Sequence, residues 1–190
     1  MSTTTTASTA GRAGTLADLP FRHLGGQPGF RPEDIEPFVD RRRIGVLAYV
    51  RGDGRPNQAP IWYTLRDGEF LMTTTAGSAK ERALARSPRV TLTIQDERPP
   101  YRAVIVDGSV ALSPVPDPDP TAGVAVRYFG RAGAAAYDRL TAEAYAETGM
   151  TLITLAPDEL KGFDNRHALR PVERAFVALR ERLPLPRTWL

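Results

Sequence analysis

Between Leu71 and Arg82 the chain reads Leu-Met-Thr-Thr-Thr-Ala-Gly-Ser-Ala-Lys-Glu-Arg, a hydroxyl-rich run that passes through a glycine turn into a positively charged helix start. Ser78 and Glu81 have the Ser-x-x-Glu spacing of a capping box, in which each side chain satisfies a backbone N–H of the first turn. Free amide hydrogens, the positive end of the helix dipole and the cations Lys80 and Arg82 then converge on one spot, a corner suited to phosphate. Lys80 stands out because Lys161 is the only other lysine, and arginine supplies the remaining positive charge.

Each of these residues also has a plainer reading. Ser78 can cap a helix without touching a ligand, and Lys80 can be a solvated helix residue. Thr73, Thr74 and Thr75 suit any strand, and Trp62 and Tyr63 suit a core as well as a wall against a planar ring. Arg98 and Arg102 fit an anion pocket or an ordinary surface, Tyr101 a proton donor or strand packing, and His167 a surface position. The run Arg41-Arg42-Arg43 reads as solvated charge at a helix end.

The elements that must hold this corner follow from period and punctuation. Pro32-Glu33-Asp34 opens a short helix through Phe38 and Val39. Strands are expected over Ile44–Val50, Gln58–Leu65 and Phe70–Thr74, separated by Gly52-Asp53-Gly54 and Arg66-Asp67-Gly68 turns. A helix from Ser78 to about Arg86 is stopped by Pro88. Val90, Leu92 and Ile94 then alternate with Thr91, Thr93 and Gln95, a strand with one buried face. Tyr101–Leu112 supplies a long strand with a possible bulge at Asp107-Gly108, and Met150–Leu155 a last one. Between them, Pro114–Pro120 is a stiff connector. A helix follows, with Val124, Tyr128, Ala132, Ala135, Ala136 and Leu140 at helical spacing, and Gly130 and Gly133 are places where it can divide. From Val172 to Leu183, Phe176, Val177, Leu179 and Leu183 form an amphipathic stripe able to dock on the barrel or on a second subunit.

Composition narrows the chemistry. At 190 residues, 42% hydrophobic and 25% charged, the chain can bury a core of its own. Without cysteine it has no disulfide, thiolate metal site or cysteine nucleophile, and its two histidines make a histidine-rich metal centre improbable. No Gly-x-Ser-x-Gly elbow, Walker loop or Gly-x-Gly-x-x-Gly fingerprint occurs. Chemistry would then fall to a bound organic cofactor. Net charge +3 and a pI near 9.5 suit an anionic ligand, while the scattered arginines argue against nucleic acid as the partner. No apolar run approaches the roughly 18 residues of a membrane span, and the Thr/Ser-rich start lacks a secretory core, so a cytoplasmic location is expected.

Several motifs fall in a fixed order along these elements. Asp53-Gly54-Arg55-Pro56 leads to Pro60-Ile61-Trp62-Tyr63, then Thr73-Thr74 to Gly77-Ser78-Ala79-Lys80, then Ser87-Pro88-Arg89-Val90. Pro99-Pro100-Tyr101-Arg102, Arg127-Tyr128-Phe129-Gly130 and Lys161-Gly162-Phe163-Asp164 complete the set. By these the chain resembles the pyridoxamine 5'-phosphate oxidase-like, FMN-binding split-barrel superfamily over roughly residues 34 to 168.

The resemblance implies a mainly β fold, a six-stranded antiparallel split β-barrel with flanking helices, and a homodimer with two cofactor sites at its interface. With the Thr/Ser repeats, Gly25-Gly26 and Pro28-Gly29 marking a disordered arm over residues 1–30, the expected partition continues with a cofactor-binding barrel over 31–168 and a helical extension over 169–190. The resemblance places the cofactor phosphate at Thr74, Ser78 and Lys80 and the ring system against Gln58 to Trp62. The implied cofactor-binding set is Gln58, Pro60, Ile61, Trp62, Thr73, Thr74, Ser78, Lys80, Arg82 and Arg102, with no residue assigned as a general acid and no metal.

Oxidases of the family that hold FMN tend to carry an arginine between the serine and the lysine, where this chain has Ala79. It is more similar to the branch that uses the deazaflavin coenzyme F420, although Ala83 stands where that branch often has asparagine. The implied activity is hydride transfer from coenzyme F420 to an unsaturated small-molecule substrate. The alternatives are an FMN-dependent oxidase and a non-catalytic carrier of flavin, deazaflavin or haem.

Overall fold

The computed structural model describes residues 14–26 and 29–182. Its strands are β1 (Phe21–His23), β2 (Gly45–Val50), β3 (Pro56–Ile61), β4 (Thr64–Arg66), β5 (Glu69–Thr75), β6 (Arg89–Gln95), β7 (Arg102–Pro114) and β8 (Met150–Asp164). They form one sheet in the order β3-β2-β6-β7-β8-β5-β4, every neighbouring pair on that path antiparallel, while β1 lies parallel on β8. Four helices flank it, α1 (Pro32–Val39), α2 (Ala79–Arg86), α3 (Val124–Thr148) and α4 (Pro171–Arg182). No helix among the described residues is long and apolar enough to cross a membrane.

Eight strands stand where six were expected, and the two additions are three-residue pieces too short to show a period. The stretch Gln58–Leu65, read as one strand, is broken at Trp62-Tyr63. Before the break β3 pairs with β2, and after it β4 pairs with β5 at the opposite edge of the sheet. One short connection thus joins both edges and bends the sheet on itself. Tyr63 fixes the bend: its ring is fully buried and its hydroxyl donates to the Val39 carbonyl at 2.6 Å.

β7 and β8 pair along their whole lengths, from Arg102 opposite Asp164 to Pro114 opposite Thr151. The register shifts between Asp107 and Gly108, the anticipated bulge, where a Cβ on Gly108 would sit 2.3 Å from the Ala156 carbonyl oxygen. The same irregularity accommodates Pro157, opposite Gly108, so β8 runs on to Asp164 and not only to Leu155. The inward residues Leu47, Phe70, Leu92, Ile94, Val104, Val106, Ile153, Leu155 and Leu160 make the core.

Within the N-terminal arm, residues 14–26 pack against the rest of the fold. Leu16 is fully buried, and its N–H donates to the Glu36 carboxylate at 2.8 Å. β1 takes the part of β8 that β5 leaves unpaired, with Phe21 opposite Leu160 and His23 opposite Gly162. Two apolar anchors, Leu16 and Phe21, and one short ladder dock this segment. Residues 1–13, 27 and 28 lie outside the described residues. Truncating Leu16 to alanine is expected to cost about 2–5 kcal/mol in a denaturant melt; an unchanged midpoint would mean that the arm is not docked.

α3 divides at Gly130, whose φ of 72° and ψ of 172° interrupt the helix. The interruption resets the helical phase, so the expected stripe does not continue through it: Leu140 is 83% exposed, while Ala134 is buried and Tyr137, Thr141 and Tyr145 are half-buried. On α4, Val172, Phe176 and Leu179 face solvent.

Candidate cofactor cleft

β5 ends beside Met150 at the start of β8, and Ala76-Gly77 turn the chain into α2. Gly77 sits at φ 68°, a left-handed position that costs glycine nothing. Ser78 is the N-cap, its Oγ accepting the Glu81 N–H at 3.2 Å, and it is also hydrogen-bonded to Thr74 Oγ1 at 3.3 Å. Glu81 reaches back to accept the Gly77 N–H and takes the Thr151 hydroxyl at 2.6 Å. The Thr151 bond, more than any other influence, holds the Glu81 carboxyl below its usual range. Of the anticipated capping box only the Ser78 half forms: Glu81 reaches one residue further back, to Gly77, because the Ser78 N–H is taken by the Thr75 carbonyl, and its carboxylate ties the turn to β8 as well.

Above this turn lies a cleft of about 420 Å³. One wall is β5 from Leu71 to Thr75, with Thr74 buried; a second is Ile44 with Pro60, Ile61 and Trp62; the third is Thr121, Val124, Tyr137 and Tyr145. Trp62 belongs to an aromatic group, stacked on Tyr128 at 5.0 Å and 11° and edge-on to Phe129 at 5.1 Å. The Tyr128 hydroxyl donates to the Arg43 carbonyl at 2.8 Å, which fixes the stack.

Lys80 is the charge in this cleft. It is half-buried and has no ion-pair partner among the described residues, and burial pushes its ammonium below the ordinary lysine range. The other lysine shows the contrast: Lys161 is paired with Asp107, which also accepts the Thr91 hydroxyl at 2.7 Å. One lysine is neutralised within the sheet, and the other is held, partly desolvated, without a counter-charge. That cation, the Thr73–Thr75 hydroxyls and the apolar walls fit a molecule with a phosphate at one end and a planar ring at the other.

Of the residues singled out in the sequence, Pro60, Ile61, Trp62, Thr73, Thr74 and Lys80 meet in the cleft, and Ser78 adjoins them through Thr74. Three do not. Gln58 is exposed on β3 and does not line the cleft. Arg82 donates to the Gly77 carbonyl and faces a different hollow, with Arg51 and Arg86 across from it. Arg102 is buried, paired with Asp96 at 2.6 Å. The same carboxylate binds Arg43 at 2.6 Å, and Arg43 also donates to the Phe38 carbonyl at 2.5 Å, so this member of the arginine run is structural and not solvated. Arg98 and Tyr101 are exposed, and the side chain of His167 lies outside what is described. Sequence reasoning missed Thr121, Tyr137 and Tyr145; the eight-residue spacing of the two tyrosines was the available signal, masked by the phase reset at Gly130.

The pyridoxamine 5'-phosphate oxidase family model matches residues 32–164. Among solved structures, a conserved hypothetical protein of Mycobacterium tuberculosis is 24% identical with a TM-score of 0.62, over 76% of this chain and 92% of that one. An F420 reductase is 24% identical with a TM-score of 0.52, over 66% and 94%. A FAD-binding protein of Mesorhizobium loti is 16% identical with a TM-score of 0.50, over 70% and 94%. Among curated proteins none matches. The chain belongs to the pyridoxamine 5'-phosphate oxidase-like family, a flavin-binding split-barrel family that includes oxidoreductases.

Proposed function

We propose that this protein is an oxidoreductase that uses coenzyme F420 to reduce an unsaturated organic substrate, working as a homodimer. The observation that carries the reading is Lys80, a partly desolvated ammonium with no carboxylate partner among the described residues, at one end of a cleft with apolar and aromatic walls. Ala79, beside it, removes the bidentate arginine clamp associated with FMN in the family resemblance, and the likeness to a solved F420 reductase supports the same choice.

The chain's own groups have defined tasks. Lys80 pairs with the phosphate, while the Thr73 and Thr75 hydroxyls offer further hydrogen bonds. Glu81 and Ser78 hold the turn so that these groups do not have to reorganise when the anion arrives. Ile61 and Trp62 supply the surface against which a planar ring lies and from which water is excluded. When bound, the deazaflavin supplies the hydride chemistry. The exposed Val172, Phe176 and Leu179 on α4 support a second subunit as the cover for that face.

FMN is the second reading, favoured by the family model itself and by the likeness to a FAD-binding protein. Titrations of the purified protein with each cofactor, followed by absorbance, separate them. Saturable binding of coenzyme F420, tighter than that of FMN, is expected; preference for FMN would reverse the assignment.

A further inference from the structure

The attachment of α3 to the rest of the fold changes at Gly130. Before that residue the helix is bonded to the loop after α1. Arg127 donates to the Asp40 and Arg41 carbonyls, the Tyr128 hydroxyl donates to the Arg43 carbonyl at 2.8 Å, and the Tyr128 carbonyl accepts from Arg42 at 3.2 Å. After it, over residues 131–148, no hydrogen bond reaches another strand or helix among the described residues. Tyr137 and Tyr145 bond each other, Thr141 donates to the Tyr137 carbonyl and Thr148 to the Ala144 carbonyl. Arg131, Asp138, Arg139, Glu143 and Glu147 form no ion pair with any described residue. Ala134 is the one buried residue of this half, and Leu140 is 83% exposed. Apolar and aromatic packing holds it down, with the Tyr137 ring 5.1 Å from that of Trp62.

A glycine ends this half on each side. Gly130 has φ 72° and ψ 172°, and Gly149 has φ 71° and ψ 169°, a combination open essentially to glycine alone. The far end is itself fixed, the Gly149 carbonyl accepting the Ala76 N–H at 3.1 Å and Met150 pairing with Thr75. Between the two glycines the helix carries Tyr137 and Tyr145, part of the third wall of the cleft. The other walls cannot yield in the same way. β5 is laddered to β8 and β4, and β3 to β2, so moving either breaks backbone hydrogen bonds. Moving residues 131–148 breaks none between elements.

We propose that residues 131–148 are a hinged lid, swinging about Gly130 and Gly149 to admit and release the ligand of the cleft and packing down to exclude water once it is bound. The inference rests on the reading of this cleft as a ligand site and adds how a long planar molecule enters it. It does not depend on which flavin or deazaflavin fills the cleft. In the free protein the lid opens on its own, without unfolding the sheet.

Hydrogen exchange of the full-length protein, followed by mass spectrometry, reads the opening directly. In the free protein, amides of residues 131–148 are expected to exchange at least about tenfold faster than those of β7 and β8, and to slow by about tenfold when a cofactor saturates the cleft. Gly130→Ala tests the hinge, because a Cβ there meets nothing within 4 Å and strains only the backbone of the closed position. It is expected to speed exchange of residues 131–148 about 5- to 100-fold while β7 and β8 keep wild-type rates. With Trp189→Phe in both proteins Trp62 is the sole tryptophan, and its quenching by acrylamide is expected to rise in the hinge variant. Gly149→Ala, whose Cβ would lie 3.8 Å from that of Ala76, is expected to act in the same way from the other end. Exchange of residues 131–148 at the rate of β7 and β8, or hinge variants that change all three segments alike, would overturn the lid. So would an opening that bound cofactor, its saturation checked by absorbance, leaves unslowed. Unchanged exchange and quenching in both hinge variants would overturn it whether or not either cofactor binds. If FMN slows the exchange and coenzyme F420 does not bind, the cofactor assignment falls and the lid stands.

Discussion

Replacing Lys80 with alanine is expected to weaken coenzyme F420 binding by about 10- to 100-fold, the equivalent of one charge-assisted hydrogen bond of about 1.5–3 kcal/mol. The ligand-free variant is expected to melt no lower than wild type. A half-buried ammonium without a counter-charge is held at a desolvation cost that an alanine does not carry. Loss of affinity without loss of stability distinguishes a binding residue from a structural one.

The pH dependence has a definite sign. Burial lowers the Lys80 pKa in the free protein, and an arriving phosphate favours the charged form and raises it again. Affinity is therefore full below the free-protein pKa and falls as pH rises through the interval between the free and bound values. Lys80→Ala removes this alkaline limb, and Lys80→Arg preserves affinity at high pH. An identical pH profile for wild type and Lys80→Ala would exclude the lysine from the phosphate contact.

The largest effect on stability is expected at Asp96, which contacts no part of the cleft. Its carboxylate binds Arg43 and Arg102, both with side chains only 9% exposed. The two guanidinium groups also lie over the Phe38 ring, at 3.9 and 5.0 Å. Asp96→Ala leaves two buried cations facing one another around an aromatic ring with no anion between them. Breaking a buried ion pair from one side costs about 3–5 kcal/mol. For a chain of this length that corresponds to a fall of roughly 6–20 °C in Tm by calorimetry. A shift of less than about 2 °C would show that solvent reaches the cluster and screens it. The family resemblance assigned Arg102 to the cofactor; with its guanidinium held by Asp96, cofactor affinity of the folded Asp96→Ala protein is expected to match wild type.

What could be read from the sequence was local in sequence. Ser78 and Glu81 are three residues apart, and the N-cap bond between them requires no knowledge of the rest of the chain. The Asp107-Gly108 bulge and the break at Gly130 are likewise marked by the residues themselves. Of the six longer strands, β6 announced itself by alternation and the others by the turns that bracket them, and the spacing of hydroxyls and charge marked the corner where Thr73, Thr74 and Lys80 meet. What could not be read depends on distant partners. Arg43 meets Asp96 across 53 positions and Thr151 meets Glu81 across 70. Nothing in the neighbourhood of Phe21 says that β8 has an unpaired stretch to receive it, or that Leu16 finds a fully buried site. Arg82 and Arg102 carry the right charge for a phosphate site, but the Gly77 carbonyl engages one and Asp96 the other. Tyr137 and Tyr145 were obscured because the apolar stripe of α3 was counted at one helical phase on both sides of Gly130, although a break there was anticipated.

A crystal structure of the protein with coenzyme F420 tests the central claim most directly. The account predicts a phosphate oxygen about 2.7–2.9 Å from Lys80 Nζ, with the deazaflavin ring extending along the cleft towards Trp62. A coenzyme bound elsewhere, with the Lys80 ammonium pointing alone into solvent, would contradict it.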